Sequence, residues 1–265
     1  MESRPGGAIL SLMRILLALG GSALLRRGDP ASAENRRRNV ETAAAAIAEL
    51  AAEHEVIVTH GNGPQIGHLL ELALRNRLPE LDVVSVLTQV VVAGDDPALR
   101  ASAKPAGQPI PSPEPYAIAE IRSLRTLVDS GTLVICGGGG GIPIALNGDG
   151  TMHGVEAVVD KDLAAALLAR RLDADLLLML TDVDAVRRDW GTPSERPITS
   201  AEPGELRSLD FAAGSMGPKV EAACRFTEAT GRRAAIGALS ESPKIVRGEA
   251  GTQVAAAVVP AGQQT

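Results

Sequence analysis

The chain has 265 residues, 45% of them hydrophobic and nearly all of those aliphatic, because it contains only one Trp, one Tyr and two Phe. This length and composition fit one large α/β domain or two closely joined lobes, with strands buried on both faces. The formal net charge of −6, with no basic tract to offset it, argues against nucleic acid as a main partner.

The amino-terminal residues 8–25 are largely apolar, a pattern that is also found in signal peptides. Arg14 interrupts the apolar run, however, and Ile15–Leu19 followed by a Gly-Gly pair is typical of a first buried strand and its turn. We therefore predict a strand here, with residues 1–12 as an extension without regular structure. No stretch is long and uncharged enough to cross a membrane.

Strands and helices alternate along the rest of the chain, which predicts a mainly parallel sheet covered by helices on both faces. The predicted strands are Ile15–Leu19, Val56–Thr59, Val83–Val92, Leu133–Cys136, Leu176–Leu180, Ala234–Ile236 and Ala255–Val259. The predicted helices are Asn35–Glu53, Gly67–Arg77, Ile118–Ser130, Leu163–Leu172 and Val220–Thr230. Gly94–Pro115, with six prolines, is predicted to be irregular, and Asn147-Gly148 is predicted to form a hairpin turn.

The two cysteines, Cys136 and Cys224, are far apart in the sequence, and each lies inside a predicted element. This arrangement provides no disulfide framework. Reduced cysteines are typical of the cytoplasm, so we predict a cytoplasmic protein.

Glycine-rich or polar turns follow four of the predicted strands. These turns are Gly20-Gly21, Gly61-Asn62-Gly63, Gly137–Gly141 and Thr181-Asp182. Any one of them is compatible with an ordinary connection between a strand and a helix. Together they indicate a ligand site, because ligands bind at the carboxyl ends of strands in open α/β sheets and glycine lets the backbone approach a ligand closely.

Two lysines lie in the first turn of predicted helices. Lys161 follows Asp160, a good N-cap residue, and Lys219 follows Pro218. A helix N-terminus already carries partial positive charge, so two lysines at such positions suggest that an anion, most simply phosphate, completes the site. Asp162 is expected to hold a lysine in place or to help bind Mg²⁺; the alternative is plain stabilisation of the helix N-terminus.

Several common active-site signatures are missing from the sequence. The chain has neither G-x-x-x-x-G-K-[ST] nor a G-x-G-x-x-G after a strand, which excludes a P-loop and weakens a dinucleotide-binding interpretation. Its four histidines are scattered, so a zinc site is unsupported. Ser22 and Ser215 lack the G-x-S-x-G context of a serine hydrolase. Phosphoryl transfer remains, because it needs positioning and charge neutralisation rather than a nucleophile from the protein.

Five motifs taken together resemble those of the carbamate kinases in the amino-acid kinase family. They are His60–Gln65, Gly138–Pro143, Gly154–Leu163, Leu180–Val186 and Gly214–Lys219, within a resemblance that extends from Arg14 to Pro260. The resemblance implies a three-layer αβα sandwich with an open, mainly parallel sheet, and usually a homodimer. It further implies one domain over residues 13–260, with an acceptor lobe at 13–155 and a nucleotide lobe at 156–260.

The implied reaction converts ATP and carbamate into ADP and carbamoyl phosphate, with Mg²⁺ accompanying the nucleotide, and runs toward ATP in arginine breakdown. The residues implied for catalysis are Lys161, Asp162 and Lys219. Those implied to bind phosphate or substrate are Gly20, Gly21, Ser22, Gly61, Asn62, Gly63, Lys104, Gly138, Gly139, Gly140 and Gly141. Those implied to line the nucleotide site are Thr181, Asp182, Val183, Met216 and Gly217. No protein ligand to a metal is implied.

The sequence departs from this family on the acceptor side. Ser22 stands where the family usually has Asn, a helical segment is missing after Gly67, and most of a protruding subdomain is missing after Gly107, which leaves Lys104 on a shortened scaffold. Two alternatives therefore stay open. One is an enzyme of the same fold that phosphorylates another small acid or phosphate, and the other is a non-catalytic nucleotide-binding relic.

Overall fold

The computed structural model describes residues 12–24, 32–61, 63–101, 110–211 and 216–256. Three sets of predictions lie outside these ranges: the amino-terminal extension, except for Leu12, the roles of Asn62 and Lys104, and the end of the last strand. Within the described ranges, no helix combines the length and apolar character needed to cross a membrane.

The main sheet has eight strands in the order β12-β14-β13-β9-β1-β2-β6-β3, and a four-stranded sheet has the order β5-β4-β7-β8. The strands are β1 (Arg14–Leu19), β2 (Glu55–His60), β3 (Val83–Ser85), β4 (Gln89–Val92), β5 (Pro115–Ile118), β6 (Leu133–Ile135), β7 (Ile142–Leu146), β8 (Met152–Gly154), β9 (Leu176–Thr181), β10 (Arg187–Arg188), β11 (Arg196–Pro197), β12 (Ser200–Ala201), β13 (Arg233–Ala238) and β14 (Thr252–Val254). The β10 and β11 strands form a separate antiparallel pair. In the main sheet only the pairing of β13 with β14 is antiparallel, so the predicted mainly parallel sheet is confirmed.

Helices cover both faces of the main sheet. The α-helices among the described residues are α1 (Gly21–Leu24), α2 (Ala33–Ala51), α3 (Pro64–Arg77), α4 (Pro97–Ala101), α5 (Ile121–Asp129), α6 (Lys161–Arg171), α7 (Pro203–Arg207), α8 (Met216–Thr230) and α9 (Ser242–Val246). Alternate residues of β1 enter different cores: Ile15 and Leu17 pack with α2 and α3, while Leu16 and Ala18 pack with α6 and α8. This period of two places one sheet between two helical layers, which confirms the predicted αβα sandwich.

Several predicted boundaries were wrong. The single strand predicted at Val83–Val92 is two strands in different sheets, because the chain leaves β6 after Val86 and pairs with β7 from Gln89 onward. The helix predicted from Ile118 begins at Ile121, since Ile118 ends β5. The segment Gly94–Pro115 contains the short helix α4, and the last strand observed lies before Ala255.

The parallel register brings the predicted turns to one edge of the main sheet. Leu19 at the end of β1 pairs with His60 of β2 and with Leu180 of β9. Val58 of β2 pairs with Ile135, the last residue of β6. The four turns that follow β1, β2, β6 and β9 therefore lie next to one another. The β7–β8 hairpin is also as predicted, with Asn147 and Gly150 in its turn.

Both thiols are free and buried in this core. Burial raises the pKa of Cys136 to about 12 and that of Cys224 to about 11. With a pKa shifted from 9.0 to about 12, the Cys136 thiolate fraction falls about a thousandfold.

We therefore expect the folded protein to be nearly inert to Ellman's reagent at pH 8, while the denatured protein releases two equivalents. Rapid release from the folded protein would contradict this packing.

Candidate active site

A buried ion pair joins the two helices α6 and α8. The Lys219 ammonium donates hydrogen bonds to both oxygens of the Asp162 carboxylate, each at 2.9 Å. The side chains are 2% and 4% exposed, respectively. Both residues lie in the first turn of the described part of their helices, so the two helix N-termini converge at this point.

Lys161 completes a cluster of three charges. Its ammonium lies 3.6 Å from the Asp162 carboxylate, and its side chain is 32% exposed. Two lysines thus share one carboxylate, which leaves one positive charge uncompensated among these three side chains. Lys161 is the member that solvent reaches, so its ammonium can move toward a bound anion while Lys219 stays fixed.

The helix N-terminus itself is already capped. The Asp160 carboxylate accepts hydrogen bonds from the backbone N–H groups of Asp162 and Leu163 at 2.8 and 3.0 Å. These two amides therefore already have an acceptor within the protein. Both oxygens of Asp162 accept from Lys219, so the carboxylate holds a lysine in place, which is one of the two roles expected for it.

Glycine turns approach the cluster closely. A Cβ atom on Gly20 would lie 3.5 Å from Cε of Lys219, and one on Gly61 would lie 3.4 Å from Cδ of Lys161. A Cβ on Gly140 would lie 2.2 Å from the Val159 carbonyl oxygen, so no other residue fits there without a shift. The structure thus brings the ends of β1, β2 and β6 onto the two lysines.

The glycine run after β6 has a backbone that favours glycine. Its φ angles are positive at four positions, namely Gly137, Gly139, Gly140 and Gly141. Gly139 faces an open cavity of about 440 Å³ that Asp160 and Lys161 also line. Gly141 packs against Val90, so it supports the loop from behind rather than facing the lysines.

Two threonines that the sequence analysis missed hold this loop. The Thr59 hydroxyl donates to the Gly137 carbonyl at 3.0 Å, and the Gly137 N–H donates to Thr88 Oγ1 at 2.9 Å. Thr88 in turn donates to the Val86 carbonyl at 2.9 Å. Only the position of Thr59 near the end of a predicted strand offered a signal in the sequence.

The residues predicted for the nucleotide divide into two groups. Thr181 ends β9 and Asp182 follows it. The Thr181 hydroxyl donates to Asp182 Oδ1 at 3.1 Å and lies 3.2 Å from Ser22 Oγ. Val183 comes next in the same turn. Met216 packs against the hydrophobic core and Gly217 lies beside Phe211, at the start of α8.

The remaining predicted residues lie farther from the charges or outside the described ranges. Gly21 touches the Gly61 turn, since a Cβ on Gly61 would lie 3.0 Å from its nitrogen. Gly63 is exposed and caps α3. The structure describes neither Asn62 nor Lys104. Among the described residues, no group of three or more His, Cys, Asp or Glu side chains is arranged to bind a metal ion.

The sequence matches a known protein family over most of its length. The sequence model of the amino acid kinase family matches residues 13–238. The chain belongs to the amino acid kinase family. The resemblance drawn from the five motifs is thus confirmed, and the ion pair, the glycine turns and the parallel sheet edge are features of an amino acid kinase.

Within the amino acid kinase family, the chain is similar to carbamate kinases along its length. It is 43% identical to the carbamate kinase of Rhizobium meliloti, over 91% of this chain and 92% of that protein. It is 40% identical to the carbamate kinase of Haemophilus influenzae, over 91% of this chain and 96% of that protein. The solved structure of the Giardia lamblia carbamate kinase bound to AMP-PNP superimposes with a TM-score of 0.85 at 34% identity, covering 93% of this chain and 99% of that one.

The relatives are longer than this amino acid kinase. The alignment with the Rhizobium meliloti protein spans 299 positions, more than the 265 residues of this chain. That relative therefore carries residues with no counterpart here. In the structure, α3 runs without a break across Gly67, where the sequence analysis placed one missing segment.

The buried ion pair predicts a stability effect. Lys219→Met leaves the Asp162 carboxylate buried with one cation at 3.6 Å, so we expect the free energy of unfolding to fall by about 3–5 kcal/mol. Lys244→Met is the control. Lys244 pairs with Glu241 at 3.4 Å but its side chain is 58% exposed, so we expect the free energy of unfolding to change by less than about 1 kcal/mol. Urea unfolding measures both. Equally small losses would show that the buried pair is energetically unimportant.

Proposed function

We propose that this chain is a phosphotransferase that exchanges a phosphoryl group between ATP and carbamate. The observation that carries the proposal is the Asp162 carboxylate shared by Lys161 and Lys219 at the sheet edge where the glycine turns meet. Its support comes from relatives named carbamate kinase that match this chain over nine-tenths of its length. A non-catalytic relic would have no use for two clustered ammonium groups beside glycine turns.

The proposed reaction needs no nucleophile from the protein. An oxygen of carbamate attacks the γ-phosphorus of ATP, the bond from that phosphorus to the bridging β–γ oxygen breaks, and ADP leaves. Negative charge spreads over the transferring group, so fixed cations lower the barrier most. Lys219, held rigidly by Asp162, supplies a preorganised charge, while the partly exposed Lys161 follows the phosphoryl group. The Gly61 and Gly138–Gly141 turns exclude side chains, so that backbone can approach the acceptor and the γ-phosphate.

We propose that Mg²⁺ arrives with the nucleotide and is held mainly by its phosphates. Mg²⁺ is usually bound by substrate phosphates, waters and at most one or two carboxylates, and the described residues form no carboxylate cluster of their own. When bound, it would neutralise charge on the nucleotide phosphates. Thr181, Asp182 and Val183 at the end of β9 and just beyond it, with Met216 and Gly217 at the start of α8, would line the nucleotide.

We propose that the two parts of the chain bind different substrates. Residues 13–155 would bind the acceptor and residues 156–260 the nucleotide, within one domain, because β1 and β9 from the two parts pair directly. We further propose a cytoplasmic homodimer that makes ATP during arginine breakdown. Light scattering on the purified protein would measure its mass, and a monomer would remove the dimer from the proposal.

The direct test is ATP formation from Mg·ADP and carbamoyl phosphate, followed with a coupled hexokinase assay. Acetyl phosphate serves as a second donor, and a panel of small acids is tested with ATP in the forward direction. We expect carbamoyl phosphate to be the preferred donor. Preference for another acid would identify an amino acid kinase of different specificity, and no transfer with any acid would contradict the proposal.

Lys161 should affect turnover without affecting stability. We expect Lys161→Met to lower kcat about 10²–10³-fold, the usual cost of losing one group that stabilises developing charge. Its ammonium is partly exposed and 3.6 Å from Asp162, so the free energy of unfolding should change by less than about 1 kcal/mol. The coupled assay and urea unfolding test both points. Nearly normal kcat in this variant would remove Lys161 from the catalytic group.

Because the acceptor side is shortened, we expect the binding of carbamoyl phosphate to be weakened more than the binding of ADP. Segments that close over a substrate exclude water and complete a site, so their loss should weaken acceptor binding more than nucleotide binding. We expect a KM for carbamoyl phosphate above about 1 mM and a low kcat. ADP at about a hundred times its Kd should still raise the free energy of unfolding by about 2.7 kcal/mol.

Steady-state kinetics with each substrate varied in turn, and thermal unfolding with ADP, measure these values. A kcat of about 10² per second or more with tight carbamoyl phosphate binding would show that the missing segments are dispensable.

A further inference from the structure

The imidazole of His60 lies at the junction of three acceptor-side segments. His60 is the last residue of β2 and is 4% exposed. Its Nδ1 atom lies 2.9 Å from the carbonyl oxygen of Gly61, so the Nδ1–H donates to that carbonyl in the neutral ring. Burial lowers the pKa of His60, which keeps the ring neutral at pH 7.

Two glycines make room for the other edge of this ring. A Cβ on Gly138 would lie 2.7 Å from His60 Nε2, and one on Gly67 would lie 2.9 Å from the same atom. Neither glycine has φ in the left-handed region, so the backbone conformation does not require glycine at either position. The close approach of the imidazole is what excludes a side chain there.

The ring thereby connects the turn after β2, the first half of α3 and the glycine run after β6. A cavity of about 200 Å³ beside the ring is lined by His60, Gly138, Ser85 and Cys136. Without the ring edge, the glycine run would have space to move into. Among the residues that the structure describes, no Lys, Arg, Asp or Glu lines this cavity, so the contact is one of shape and a single hydrogen bond.

We propose that His60 is a positioning residue that locks the Gly61 turn and the Gly138–Gly141 run in the geometry that receives the phosphoryl acceptor. The inference rests on the proposed function, because these glycines are the acceptor-side walls of the lysine cluster. Gly61, Gly67 and Gly138 all precede residue 156, so these contacts place His60 in the proposed acceptor part of the chain.

Two substitutions disturb this contact in different ways. Gly138→Ala places a methyl group against the ring, and His60→Asn keeps a donor for the Gly61 carbonyl while it removes the ring edge. Gly148→Ala is the matched control, because a Cβ there meets nothing within 4 Å and its φ is also outside the left-handed region. We expect kcat/KM for carbamoyl phosphate to fall about 10- to 100-fold in the first two variants, with the Kd for ADP changed less than about twofold.

Hydrogen exchange provides a readout that does not depend on activity. Both test variants should exchange faster than wild type in peptides covering 137–141, with α6 unchanged, and Gly148→Ala should match wild type. An inactive wild type with this exchange pattern would contradict the proposed function and keep the positioning role. Normal exchange at 137–141 in both test variants would overturn the role of His60, as would equal losses for carbamoyl phosphate and ADP.

Discussion

One buried carboxylate organises this molecule. Asp162 lies between Lys219, which it binds with both oxygens, and Lys161, which it contacts at longer range. A carboxylate or an ammonium alone would be expensive to bury, so each requires the other, and the pair holds the start of α6 against the start of α8. The same arrangement leaves a positive charge at the sheet edge, which is what a phosphoryl-transfer site needs.

Glycine turns let the backbone lie close to these charges. Where Gly20, Gly61 and Gly140 approach the lysines or the start of α6, a Cβ atom would come within 3.0 Å of a neighbouring backbone atom, so only glycine lets the turns lie this close. The loop that carries Gly140 is itself fixed by hydrogen bonds from Thr59 and to Thr88. Electrostatics and close backbone approach thus support each other, because preorganised charges stabilise a transition state only if the substrate can reach them.

Local patterns in the sequence were enough to predict most of the architecture. The continuous apolar run Ile15–Leu19, and Asp160 as a cap just before Lys161, are signals that a few neighbouring residues carry. The break within Val83–Val92 is different, because it depends on β6 and β7, which lie far along the chain. The pairing of Asp162 with Lys219 joins two helices that are distant in sequence, so first-turn positions indicated an anion site but could not show which lysine Asp162 holds.

A double-variant comparison tests most directly whether the Asp162–Lys219 ion pair serves both the fold and the chemistry. Lys219→Met leaves a buried charge, and adding Asp162→Asn removes that charge. If the pair serves both the fold and the chemistry, the double variant should regain most of the lost free energy of unfolding and still fail to form ATP from Mg·ADP and carbamoyl phosphate. Nearly normal ATP formation by the double variant would contradict the proposed catalytic role of the pair, because these two charges would then not be needed for phosphoryl transfer.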